Sequence, residues 1–102
     1  MRTIRTLTEQ IDDELQDAGK YARLALEYKT TDPEMASLFY RLSCEELTHM
    51  TMLHDCVASK IEAHQKNGLE IPESMQALYD YLHKRQIERT ETVKRLQQMF
   101  RG

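Results

Sequence analysis

Cys44-Glu45-Glu46-Leu47-Thr48-His49 places a carboxylate and an imidazole where a helix would ordinarily present leucine. At alternating three- and four-residue spacing the stripe reads Phe39, Leu42, Glu46, His49, Leu53, Cys56. An inward carboxylate beside an inward imidazole is unfavourable unless something binds both. The Glu-x-x-His spacing sets both heads on one helical face about a turn apart, which suits a metal ion held from one side. A third intruder lies upstream, where Ile4, Leu7, Ile11, Glu14, Ala18, Tyr21, Ala25, Tyr28 keep the same alternation with Glu14 out of type.

The elements that must position these residues are three helices in an all-α chain, expected at about 4–29, 33–66 and 72–100 of a single domain spanning 1–102. Thr6 with Glu9 offers a capping box for the first, and Thr3 offers an earlier start. Thr30-Thr31-Asp32-Pro33-Glu34 is the clearest punctuation, with Asp32 as N-cap and Pro33 at the first helical position. So short a connection makes helices one and two antiparallel neighbours. Helix two then runs unbroken to Asn67-Gly68, about 50 Å at 1.5 Å per residue. Pro72 restarts a third helix with Met75, Leu78, Leu82, Val93, Leu96 and Phe100 as its apolar side. The polar middle of that helix, Lys84 to Thr92, interrupts the stripe and suggests docking by the two ends, or a centre that meets solvent or a partner.

Counted from the hairpin turn, Glu14 lies about 22 Å back along helix one, while Glu46 and His49 lie about 20 and 24 Å forward along helix two. Three polar heads therefore share one height, on stripes that antiparallel packing turns toward each other. Two carboxylates and one imidazole suit Fe or Mn, with Zn not excluded by ligand softness. A ferritin-like site takes a Glu from each of two helices and Glu-x-x-His from two more, and this chain carries half of that set. A two-fold related second copy would complete a four-helix bundle and double the ligands to four Glu and two His around two metals.

On these residues the chain resembles a ferritin-like half-bundle and is most similar to the encapsulated ferritins, with rubrerythrins as more distant relatives. The likeness covers roughly residues 11–53. It rests on Glu14 followed seven residues later by Tyr21, on Thr31-Asp32-Pro33-Glu34 as an inter-helix turn like that family's, and on Glu46 standing thirteen positions after Pro33. It implies a ferroxidase, in which two Fe(II) bound between subunits are oxidised by O2 to Fe(III) and passed on for storage. Glu14 and Glu46 would be terminal or bridging carboxylates and His49 the nitrogen ligand. Beside that carry-over, Tyr21 and Tyr40 are candidates to donate hydrogen bonds to the ligands or electrons to an oxidised cluster. The chain departs from the family where Gln16 and Lys20 stand in place of an acid and an aromatic residue beside the first ligand, and the inter-helix connection is about two residues longer. The sequence closes at Arg101-Gly102 without a segment resembling a shell-targeting peptide, so an encapsulin shell is a partner the family suggests and the visible sequence does not support.

Composition narrows the classes. With 40% hydrophobic and 30% charged residues, no Trp, three Gly and two Pro, the chain has the make-up of long helices. The net charge of −3 and dispersed Lys and Arg argue against nucleic acid, and the basic run from Lys84 to Arg101 reads as a solvated helix face. Cys44 and Cys56 are twelve apart on one helix, about 18 Å along its axis, and do not bridge. No apolar run approaches the ~20 residues a bilayer span needs. The expectation is a cytoplasmic protein, or one held inside a cytoplasmic protein compartment, that works as a homodimer at least and touches no membrane.

The plainer readings are a solvated Glu46–His49 pair, core roles for Tyr21 and Tyr40, gap-filling by Met50 and Met52, and a surface pair at Asp80-x-x-His83; His54 and His64 receive no role. The competing function is a non-catalytic helical dimerisation or scaffold protein whose metal is structural or absent.

Overall fold

The computed structural model describes residues 2–102 as three α-helices, α1 (Arg2–Tyr28), α2 (Pro33–Lys66) and α3 (Glu73–Arg101). Among the described residues there is no strand. The molecule is a rod of 56 × 19 × 18 Å, its long dimension set by α2. Asp32 Oδ1 accepts from Met35 N at 3.1 Å, and Pro33 occupies the first turn, so the cap read from the sequence starts α2. At the other end Gly68 takes φ +74° while Gly68 N donates to Gln65 O at 3.0 Å and Leu69 N to His64 O at 3.3 Å. That is a Schellman closure, and the left-handed residue is a glycine because a Cβ there would be strained.

The start of α1 agrees with the earlier start near Thr3 and not with the capping box at Thr6. The helix runs from Arg2, and Thr6 Oγ1 donates to Arg2 O at 3.1 Å inside it, so Thr6 is a helical residue and not a cap.

α1 and α2 form the antiparallel hairpin, and α3 runs parallel to α1, as the pairs Asp12–Arg89, Gly19–Val93 and Lys29–Met99 show. α1 is the central helix, with Ile4, Ile11, Leu15, Ala18, Ala22 and Ala25 almost wholly buried. α2 and α3 meet sparingly. At the hairpin end Tyr40 stacks on Phe100 (4.8 Å between centroids), Arg101 donates to Tyr40 Oη at 2.7 Å, and Lys29 sits 5.6 Å over the Phe100 ring.

The middle of α3 is docked, contrary to the reading in which only its ends would be. Arg89 reaches Asp12 with Nη1 at 3.3 Å from the carboxylate, and Gln86 and Gln97 are buried beside Val93. Gln97 Nε2 donates to Ser43 Oγ at 2.9 Å, and Ser43 Oγ donates to Ala18 O at 2.7 Å, so one polar chain ties all three helices. A buried amide is tolerated here because its hydrogen bond is made.

These contacts fix which faces remain open. Asp12 and Gly19 line the flank of α1 that meets α3, whereas Glu14 and Tyr21, each two residues further on, point about 200° away. On α2 the residues that meet α3 are Tyr40, Ser43 and His54. Leu42, Glu46, His49 and Leu53 lie about a third of a turn round from them. The hairpin thus carries α3 on one side and presents the chemistry-bearing stripe on the other.

Candidate metal centre

Glu14 comes from the middle of α1, Glu46 and His49 from the middle of α2, and one ligand atom from each falls within 4.8 Å of the other two. Equal distance from the turn brings them together, since both helices are continuous between the turn and the site. His49 Nδ1 lies 3.5 Å from Glu14 Oε2 and 3.7 Å from Glu46 Oε2, both longer than a good hydrogen bond.

The burial is uneven. The side chains of Glu14 and Glu46 are 22% and 18% exposed, that of His49 54%. Glu14 Oε2 is itself sealed from solvent and has no hydrogen-bond partner. An orphaned carboxylate oxygen is costly, about 1–3 kcal/mol or more for a charged group, and such groups are retained where something binds them. Its lone pairs face the imidazole nitrogen and the second carboxylate across a gap of ligand-to-ligand size. A divalent cation taken between the three would satisfy the oxygen, and two carboxylates with one imidazole are the donor chemistry of Fe, Mn or Zn. The residues fit a metal.

They fit it incompletely. Three donors from one side leave a first-row ion short of its ligands, and the missing side is the one on which His49 is exposed. The stripe read as inward is therefore inward only in part. Phe39, Leu42, Leu53 and Cys56 are half-buried, and α2 has just Ala36 and Ser43 fully covered among its 34 residues.

Tyr21 lies two turns along α1 from Glu14 and stacks its ring on Phe39, with centroids 6.1 Å apart and planes at 17°. That contact makes it a packing residue of the same open flank. Tyr40 is on the α3 side and serves docking. Asp13, Gln16 and Lys20 are exposed, and Asp12, which the sequence did not single out, holds Arg89. Asp80 accepts from Gln76 Nε2 at 2.9 Å and not from His83. His83 instead turns to His54, a pairing that sequence spacing did not reveal because the two belong to different helices. Cys44 and Cys56 are free. No helix among the described residues is long and apolar enough to cross a membrane.

Comparison with protein-family models, with curated proteins and with solved structures finds no match to this chain.

Proposed function

We propose that the chain is a ferritin-like ferroxidase that completes its four-helix bundle by homodimerisation and oxidises Fe(II) to Fe(III) with O2 at the shared interface. The observation that carries this reading is the orphaned Glu14 Oε2, sealed from water and facing His49 Nδ1 and Glu46, on the one flank of the hairpin that α3 leaves uncovered. A second copy related by a two-fold axis would bring Glu14, Glu46 and His49 again from the opposite side, giving two metals four carboxylates and two imidazoles.

Iron is here the substrate: two Fe(II) give one electron each to O2, which takes up two protons and leaves as hydrogen peroxide. The protein's part is to select and hold it. The carboxylates offset the charge of two cations held close together, and His49 supplies a neutral nitrogen donor whose lone pair must be free of a proton. Half-buried Phe39, Leu42 and Leu53 form the apolar border that would exclude bulk water once a partner covers them. Iron handling or storage follows as the biological use, in the cytoplasm or in a protein compartment within it.

The test is addition of Fe(II) to metal-free protein in air, with oxygen uptake and ferric absorbance followed together. Both signals are expected in the native protein and are expected to fall at least a hundredfold in Glu46→Ala and His49→Ala. Native rates in either variant would dismiss the proposal.

One observation favours the second reading. His49 Nδ1 stands between two carboxylates, which is also the geometry of an imidazolium holding two helices together without metal. In that case the chain is a dimerisation module, and purified protein carries no iron, manganese or zinc and keeps its mass in solution when chelator is added.

A further inference from the structure

His54 on α2 and His83 on α3 place their Nε2 atoms 3.0 Å apart, with ring centroids at 5.0 Å and planes inclined by 25°. The two rings are brought nose to nose across a helix pair that otherwise scarcely touches, between the Ser43–Gln97 bond and the α2–α3 turn. We infer that this pair is a second metal site, distinct from the Glu14, Glu46, His49 centre, which takes a late first-row divalent ion of the zinc class and clasps α3 to α2.

The spacing argues for it. Two imidazole nitrogens at about 2.0–2.1 Å from a tetrahedral zinc ion stand about 3.3 Å from each other. Opening the observed 3.0 Å to that value moves each ring by a few tenths of an ångström at most. Asp55 Oδ1 lies 3.8 Å from His54 Nδ1, so a negative charge sits behind the ring and favours the tautomer that leaves Nε2 bare. Open space adjoins the pair on both sides, toward Met50 and Glu91 on one and toward Ile61 and Tyr79 on the other, which admits the waters that complete a coordination shell.

Packing alone does not account for the arrangement. His54 is 41% exposed in its side chain and His83 is an exposed residue, so a hydrogen bond between them competes with water and contributes little. Neither ring fills a core position. A shared ion, by contrast, gives two flexible side chains one geometry and gives α2 and α3 the link that their sparse packing lacks.

The ligand set also separates this site from the first. Imidazoles without carboxylates suit zinc, copper or nickel, and affinity rises from Fe(II) toward Cu(II) in such a set. The carboxylate-rich centre would take iron while the His pair takes zinc.

The test uses the Glu46→Ala/His49→Ala double variant, so that it is independent of the proposed ferroxidase site. Zn(II) is titrated into it while the imidazole nitrogens are followed by long-range 1H–15N NMR. The His54 and His83 Nε2 signals are expected to shift together and to saturate at one zinc per protomer, with His64 unmoved. His54→Gln is expected to lower zinc affinity at His83 at least tenfold. Hydrogen exchange in the first half of α3 is expected to slow when zinc is bound to the double variant and to remain unchanged when zinc is added in the presence of the further His54→Gln substitution. Signals that do not move at millimolar zinc, or His83 shifts that persist undiminished in His54→Gln, would overturn the inference.

Discussion

Glu14 shows how a residue can be poor for stability and necessary for chemistry. Its sealed Oε2 lacks a partner, so replacing the side chain by leucine removes an unsatisfied acceptor and adds apolar surface to the α1–α2 contact. Glu14→Leu is expected to stabilise the metal-free protein by about 1–2 kcal/mol in urea unfolding while abolishing iron oxidation. Reduced stability together with retained oxidation would contradict the assignment. The three candidate ligands were legible in the sequence because each breaks an apolar stripe. His54 with His83 was not, since the contact joins two helices whose relative rotation no spacing rule supplies.

At the scale of elements, the hairpin and the span of the third helix were readable, and the way the third helix docks was not. Asp32, Pro33, Asn67 and Gly68 carry turn chemistry that acts locally, and the matched height of Glu14 and Glu46 follows from counting residues along straight helices. The line of buried residues on α1 passes through Leu15 and Ala22, rotated toward α3 from the stripe through Glu14 and Tyr21, because α3 covers that flank. Docking of α3 by Gln86, Arg89 and Gln97 escaped detection for a plain reason: glutamine and arginine in a helix centre look solvated unless their partners are known. Ser43 is the keystone of that docking, accepting from Gln97 and donating to Ala18 O. Ser43→Ala strands the buried Gln97 amide and is expected to destabilise the fold by about 1–3 kcal/mol, with hydrogen exchange in the second half of α3 accelerating more than in α1. Asp32→Ala, which removes a single cap bond, is expected to lower stability by about 1 kcal/mol without touching iron oxidation.

For the whole molecule, one side of the hairpin is closed by α3 and the other ends in half-buried Phe39, Leu42 and Leu53 around an exposed imidazole. A rod only 19 Å across buries a thin core, and a second copy on the open flank would bury the residues that one protomer leaves wet. Leu53→Glu puts a charge into that border and is expected to yield a protein of single-chain mass by sedimentation, still helical, with iron oxidation reduced at least tenfold. The most direct measurement is the structure of crystals grown with Fe(II) without oxygen, with iron located by its anomalous scattering. The account predicts a pair of iron peaks related by a two-fold axis between two hairpins, each within coordinating distance of Glu14, Glu46 and His49 side chains. Crystals in which Glu14 turns outward, or in which no neighbouring copy faces His49 and no iron is held there, would contradict it.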